Sequence, residues 1–372
     1  MPNLIALAIP FFFVGIGAEI WVAKRKQRQV YRLTTAMTDM ACGIAQQLVG
    51  VLVGALSLAA YAWVYSHRLI DMPQKTWVSW TAAVLGVELA YYWWHRLSHE
   101  VNLLWAAHSV HHHSEDYNLA VALRQSVTTW LPMLLFYLPL AVLGVPTLEY
   151  AVVLGLSTLY QFWIHTELVP PLGFIEKWLN TPSLHRVHHA TNARYLDKNH
   201  AATFSFLDRM FGTWEPETER CVYGVTKPLD SYNSLYAQVA GYVDIARMWK
   251  LAPTFCEKLK VVFWPPGWQP PWLPVAALVT LPRTKFEPDT DVRAKWHALG
   301  QFTLLIIGVF CFLMWGGALT KAEQAVCFVL FAMTLFSTSA LIESKRWAWK
   351  VEGARLVVTV PTVALLLLGF LH

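Results

Sequence analysis

Charged residues are scarce in this chain: of its 372 residues, only 14% are Asp, Glu, Lys or Arg. Soluble domains carry about 25% charged residues, so a water-exposed surface cannot be covered in the usual way. Hydrophobic residues make up 56% of the chain, and the mean hydropathy is +0.38. This composition excludes a monomeric water-soluble enzyme and predicts an integral membrane protein.

Cysteine pairs and cofactor motifs are missing as well. The five cysteines form no C-x-x-C pair, so neither a disulfide framework nor a thiolate metal site is predicted. The sequence contains no Rossmann G-x-G-x-x-G, no P-loop and no C-x-x-C-H haem site, and therefore no recognisable redox domain. The net charge is +5, and the basic residues cluster in short loops between apolar runs. This pattern orients membrane proteins and does not predict a nucleic-acid partner.

Apolar runs and aromatic residues are abundant. The 19 Trp and 14 Tyr are typical of side chains at membrane interfaces. The first run lacks the basic start and cleavage site of a signal peptide and is interpreted as a membrane helix. The windows long and apolar enough to span a bilayer are 3–23, 41–65, 77–94, 128–145, 147–164, 299–317, 323–342 and 355–371. Gly144 and Pro146 split the fourth window from the fifth, which predicts a hairpin that crosses the bilayer only in part.

We therefore predict an all-α, polytopic integral membrane protein with a histidine-rich di-metal cap on the cytoplasmic side. Basic residues near the ends of the spans, at 24–28 and 345–350, place the cap there. The more polar stretch 165–298 is predicted not to span, with an interfacial piece at 264–281. The expected organisation is N-terminal membrane helices (1–80), a catalytic region (81–230), an interfacial connector (231–298) and C-terminal membrane helices (299–372).

Histidines are clustered at helical spacing. Eight of the 14 fall into three boxes: His95-Arg-Leu-Ser-His99, His108-Ser-Val-His111-His112 and His185-Arg-Val-His188-His189. Residues i, i+3 and i+4 share one face of a helix, so each box directs its imidazoles to a common point. A single histidine at a membrane edge is usually a hydrogen-bonded interfacial group, whereas three such boxes indicate a metal site.

The number of imidazoles favours two metals. A zinc site is filled by three or four ligands, and eight imidazoles are twice that supply. Two irons that activate dioxygen fit best, because a redox-active metal beside a lipid pocket can oxidise the lipid. A metal transporter is disfavoured by the few ionisable residues in the apolar windows. A haem protein is disfavoured because two haems would leave four clustered imidazoles unused.

The residues in and around these boxes follow a known pattern. They include Tyr91-Tyr-Trp-Trp-His95, His99-Glu100, the run from His108 to Asn118, Leu123-Arg-Gln-Ser126, Tyr160-Gln-Phe-Trp-Ile-His165-Thr-Glu167, Asn180-Thr-Pro-Ser-Leu-His185, Phe211-Gly-Thr-Trp214 and Tyr223-Gly224. Over about residues 80–230 the chain resembles the fatty acid hydroxylase and sterol desaturase superfamily of membrane di-iron oxygenases, and within it the ether-lipid monooxygenases.

This resemblance implies site residues. The implied iron ligands are His95, His99, His108, His111, His112, His185, His188 and His189. His165 is expected to be a ninth ligand, the alternative being an interfacial histidine or one that only orients a ligand. Glu100 matches an acidic catalytic residue of the ether-lipid enzymes, although a carboxylate that pairs with Arg96 is an equal alternative.

Other polar residues are weaker candidates. His113 lies off the ligand face, and His200 is left out of the predicted set. Glu115 and Asp116 could orient ligand N–H groups or simply cap a turn. Asn118, Arg124 and Gln125 could meet a polar head group or a pterin, and Glu88 sits inside an apolar window where a carboxylate usually faces a partner.

The resemblance also implies a reaction. O2 is the co-substrate, the carbon next to an ether oxygen of a membrane lipid is hydroxylated, and the hemiacetal decays to a fatty aldehyde and the glycerol portion. Tetrahydrobiopterin is implied as the electron donor. The alternative within the superfamily is hydroxylation or desaturation of a sterol or fatty acyl chain, with electrons from a reductase or ferredoxin.

Overall fold

A computed structural model describes residues 4–274 and 283–370, and the regular secondary structure of these residues is helical. Extended pairing within these residues is limited to one isolated bridge, between Ala190 and Tyr223. The α-helices, in chain order, are α1 (Leu4–Arg25), α2 (Leu33–Ser66), α3 (Trp77–Glu100), α4 (Asn102–His112), α5 (Trp130–Val142), α6 (Thr147–Trp163), α7 (Pro182–His188), α8 (Phe206–Phe211), α9 (Ser234–Ala237), α10 (Ala240–Leu251), α11 (Phe255–Phe263), α12 (Val292–Trp315), α13 (Lys321–Ile342) and α14 (Ala348–Phe370). The all-α prediction is confirmed.

Each predicted apolar window coincides with one helix. In the described part of the chain, four helical segments are long and apolar enough to cross a membrane: Leu7–Arg25, Leu33–Ser66, Val292–Ala318 and Lys321–Ile342. These segments confirm an integral membrane protein, with fewer clear spans than the eight windows. The cytoplasmic position of the cap and the four chain regions stay predictions.

Helices α5 and α6 are joined by a tight turn, and both pack on α2 and α3, while the predicted partial crossing of the bilayer stays a prediction. Their 13 and 17 residues rise about 20 and 26 Å at about 1.5 Å per residue, less than the hydrocarbon core of about 30 Å. The turn between them requires glycine at Gly144, whose φ is +85° and where a Cβ would lie 2.0 Å from the carbonyl oxygen of Ile70.

Two apolar clusters hold the helices together. In one, α12 and α13 pack on α2 through Met37, Phe302, Leu305, Leu335 and Leu341. In the other, α3, α5 and α6 pack around buried tyrosines and small residues. The C-terminal helices are therefore a scaffold for the start of α2.

The connector packs on the second histidine box. The amide Nδ2 of Asn102, at the start of α4, donates to the carbonyl of Val261 in α11 at 2.8 Å. Gly241 in α10 lies so close to Ala106 that a Cβ would come within 2.7 Å of its Cα. Helices α10 and α11 of the predicted connector thus brace α4. Part of the predicted interfacial piece, 275–282, lies outside the described residues.

Candidate metal centre

Four chain segments bring the predicted histidines together. Helix α3 ends at Glu100 and α4 begins at Asn102, so two histidine boxes lie on consecutive packed helices. Helix α7 begins where Thr181 caps it and Pro182 occupies its first turn, which suits proline because no N–H is needed there. His165 follows the end of α6.

The nine predicted ligands form two buried groups. Within each group the potential ligand atoms lie within 4.8 Å of one another. The first group contains His95, His99, His108, His112 and His188; the second contains His111, His165, His185 and His189. The groups adjoin, because the rings of His112 and His189 stack with centroids 4.3 Å apart.

The imidazoles converge through their Nε2 atoms. In the first group, the Nε2 of His108 lies 2.9 Å from that of His95 and 3.1 Å from that of His112. In the second, the Nε2 of His165 lies 3.2 Å from that of His111 and 3.0 Å from that of His185. Each group therefore presents nitrogen atoms to one small volume.

Backbone carbonyls fix which nitrogen carries the proton. The Nδ1–H groups of His95 and His165 donate to the carbonyls of His200 and Gln161, each at 2.7 Å. The Nδ1–H of His111 donates to the carbonyl of Arg124 at 2.8 Å. A carbonyl only accepts, so these imidazoles in their neutral form have unprotonated Nε2 atoms.

Unprotonated nitrogens that face one another fit a cation. No hydrogen bond can join the Nε2 atoms of His111 and His165, because each offers only a lone pair. The Nε2 atoms of His99, His188 and His189 are buried and have no hydrogen-bond partner. Buried polar atoms usually have partners, and a metal ion in each group would supply them.

Burial keeps these imidazoles neutral. Removal from water lowers the pKa of His111 to about 4 and that of His188 to about 3. Neutral imidazole is the form that binds metals. The site is therefore in its ligating form at neutral pH.

Glu100 lies outside both groups. Its carboxylate accepts a 2.9 Å hydrogen bond from Arg96 Nε, and 38% of its side chain is exposed. The contact is the Arg96 pair that the sequence offered as an alternative. A catalytic role for Glu100 stays a prediction.

His200 is the residue that sequence reasoning missed. It is fully buried, and neither ring nitrogen has a hydrogen-bond partner. Its ring lies 5.1 Å from that of His99, and its carbonyl anchors His95. Asp208 fixes this loop by accepting the N–H of His200 at 2.7 Å, and burial raises the pKa of Asp208 to about 6. His200 stands alone in a loop, so no helical spacing signals it.

The acidic residues after the second box pair with arginine and lysine side chains and do not contact the ligand imidazoles. Asp116 accepts from Arg32 Nε at 2.9 Å, and Glu115 accepts from Arg283 Nη2 at 2.6 Å. Arg124 is buried against Asp39, with Nη1 to Oδ1 at 3.1 Å. Arg124 therefore positions His111 through its own carbonyl and does not present a free guanidinium to a head group.

Comparison with known proteins identifies the class of this helical histidine centre. The family model described as "Fatty acid hydroxylase" matches residues 80–213, which include all nine predicted ligands. No solved structure matches the chain significantly.

Similar proteins of known name show to which family within this class the chain belongs. Alkylglycerol monooxygenase of Homo sapiens is 36% identical over 366 residues, covering 95% of this chain and 81% of that protein. The Danio rerio enzyme of the same name is 34% identical, covering 96% and 82%, and the Xenopus tropicalis enzyme is 40% identical, covering 73% and 60%. The chain belongs to the alkylglycerol monooxygenase family, and the resemblance found in its sequence is confirmed.

Proposed function

We propose that the protein is a di-iron membrane monooxygenase that hydroxylates the ether-linked alkyl carbon of alkylglycerol lipids. The observation that carries the proposal is the convergence of nine buried imidazoles in groups of five and four. Membership of the alkylglycerol monooxygenase family supports the substrate. The spanning helices would hold the alkyl chain beside the histidine groups.

Two irons suit this ligand set. All nine side chains are neutral imidazoles, which are common iron ligands. The two histidine groups contain five and four of them, and four ligands already close a zinc site. An alkyl C–H bond offers no acid, base or leaving group, so its oxidation needs a redox-active centre. Bound irons would supply the activation of dioxygen that this reaction requires.

The chain's own residues position the metals. The first group is held by the end of α3, by α4 and by α7, while His111 and His165 bring α4 and the end of α6 to the second group. The carbonyls of Gln161, Arg124 and His200 fix the orientation of three imidazoles. Loss of such a hydrogen bond to a metal ligand typically lowers metal affinity or activity about 10- to 100-fold.

The proposed reaction balances with one external two-electron donor. One oxygen atom of O2 enters the C–H bond beside the ether oxygen, and the other leaves as water. Two electrons come from the C–H bond and two, with two protons, from the donor. The hydroxylated carbon is a hemiacetal, which breaks its C–O bond to release a fatty aldehyde and the glycerol portion. The proposed donor is tetrahydrobiopterin.

Turnover by the purified, iron-loaded protein in detergent tests the proposal. With an alkylglycerol, O2 and reduced pterin, we expect fatty aldehyde in equal amount to the lipid consumed. A hydroxylated or desaturated product formed only from a sterol or fatty acyl substrate, or turnover only with a reductase or ferredoxin, would favour the alternative within the superfamily. Loss of product when Glu100→Gln retains full iron would support the catalytic role proposed for Glu100.

A further inference from the structure

A cavity of about 550 Å³ with both polar and apolar walls lies beside Tyr117, which contacts the second histidine group. Its wall comes from the start of α2 with the preceding loop, the segment after α4, and the segments around 220–232 and 283–286. This volume is in the range of small-molecule sites, about 300–1,000 Å³.

Aromatic rings lead from this cavity to the histidines. Tyr223 stacks on Tyr117 with centroids 4.9 Å apart and planes 15° apart. Tyr117 in turn lies 5.2 Å from the ring of His189 and 5.7 Å from that of His165. A flat ligand against Tyr223 would therefore be separated from the second group by two aromatic rings, those of Tyr223 and Tyr117.

The wall is fixed in place. Tyr223 pairs with Ala190 in the isolated bridge, directly after the third histidine box. The N–H of Thr191 donates to the carbonyl of Val222 at 2.7 Å. Gly224 has a φ of +113°, a conformation that glycine adopts without strain, and it completes the turn beside Tyr223. The ring of Tyr223 is thus oriented before any ligand binds.

Four of the five cationic side chains in the wall have a carboxylate partner, and the fifth, Arg220, is exposed. Lys285 Nζ lies 2.6 Å from Asp116, which also accepts from Arg32. Arg283 contacts both Glu115 and Asp230. Because four of the five cations already have carboxylate partners, and Glu167 adds a further carboxylate to the wall, the cavity does not favour a phosphate or another anion. The paired ions also disfavour an alkyl chain, which would have to displace water from charged groups.

These observations select a neutral, planar, hydrogen-bonding molecule. The sequence carries no recognisable redox domain, so electrons for the histidine centre must come from a separate donor. We propose that this cavity binds the small planar reductant of the reaction, a reduced pterin, with its ring against Tyr223 and its polar edge towards the ion-paired wall. This inference rests on the proposed function.

Direct binding of a pterin tests the site without turnover. We would measure the Kd of 7,8-dihydrobiopterin, which does not reduce the metals, by equilibrium dialysis against the iron-loaded full chain. Tyr223→Leu removes the flat ring and should weaken binding about 10-fold, as expected for a lost aromatic contact. Tyr223→Phe keeps the ring and should bind within about two-fold of the parent protein.

Matched controls separate a local effect from misfolding. Tyr236→Leu alters an exposed tyrosine outside the cavity and should leave the pterin Kd unchanged. Iron content and the thermal midpoint of each variant report whether the fold is kept. If Tyr223→Leu does not fold, Tyr223→Phe combined with Val222→Trp, which fills the cavity, replaces it and should also weaken binding about 10-fold.

Steady-state constants identify the occupant. The Tyr223→Leu variant should raise KM for reduced pterin about 10-fold while KM for the alkylglycerol stays within about two-fold. A higher KM for the alkylglycerol alone would make the cavity a head-group site and overturn the inference, as would unchanged values for both. If the parent protein forms no aldehyde from alkylglycerol with any donor, the proposed function itself fails; if it turns over but the cavity variants have no effect, only this inference fails.

Discussion

The Nε2 atoms of His111 and His165 lie 3.2 Å apart although both imidazoles direct their Nδ1–H groups to backbone carbonyls. Two lone pairs at this separation repel each other unless a cation lies between them. The chain therefore orients these rings through α4 and the end of α6 for a ligand, and not for contact with one another.

Loss of one ligand should remove metal and activity together. We expect His188→Ala to lower iron in the first group and His111→Ala to lower iron in the second, because each imidazole is buried within its group. Iron per chain and aldehyde formation would be measured on the same samples. His67→Ala, at an exposed position after α2, is the matched control and should keep both. An unchanged iron content in His188→Ala or in His111→Ala would contradict these assignments.

The metal-free protein should lose stability in mild acid. Burial lowers the pKa of His111 to about 4 and that of His188 to about 3. The pKa of a histidine in the unfolded chain is about 6.5. Below about pH 6.5 the unfolded chain binds protons that the folded chain does not bind, so the free energy of unfolding falls as pH decreases towards 4. Chelator-treated protein would be melted at several pH values. A melting temperature that stays constant or rises between pH 6.5 and 4.5 would be evidence against buried neutral imidazoles.

A buried ion pair in the C-terminal helices should be necessary for their packing. Glu352 and Arg355 are 1% and 3% exposed, and Arg355 also bonds Gln301 and Thr334. Arg355→Ala leaves the carboxylate of Glu352 without its main partner and should cost about 3–5 kcal/mol. The double variant Glu352→Leu with Arg355→Leu should cost less, since no charge stays unpaired. Thermal melts in detergent compare the two; equal or greater loss in the double variant would show that the pair is not the cause.

The turn between α5 and α6 should not tolerate a side chain. Gly144→Ala places a Cβ against the carbonyl of Ile70 and strains a left-handed residue, which alone costs about 1–2 kcal/mol. Gly54→Ala, within α2, meets open space and should instead be neutral or stabilising by about 0.5–1 kcal/mol. The difference in melting temperature between these two variants checks the conformation of the turn. Similar behaviour of both would be inconsistent with this turn.

Local spacing accounts for most of what the sequence predicted. The three boxes lie on helices, where i, i+3 and i+4 positions share a face, and His165 followed an apolar run that ends beside them. His200 could not be found in this way, because its loop is fixed by contacts such as the one with Asp208. The pairing of Arg32 with Asp116 joins residues 84 positions apart, and no periodic pattern encodes it. The sequence therefore shows which residues belong to one helical face, but not which loops meet.

Iron analysis of the purified chain tests the central claim most directly. The two histidine groups predict about two irons per chain, with about one retained when His165→Ala disrupts the second group. Elemental analysis after expression with iron and zinc both supplied gives the number and identity of the metals. Two irons in the parent protein and one in the variant would agree with two separate all-histidine sites. A single metal, zinc in place of iron, or full iron in the His165 variant would contradict the account.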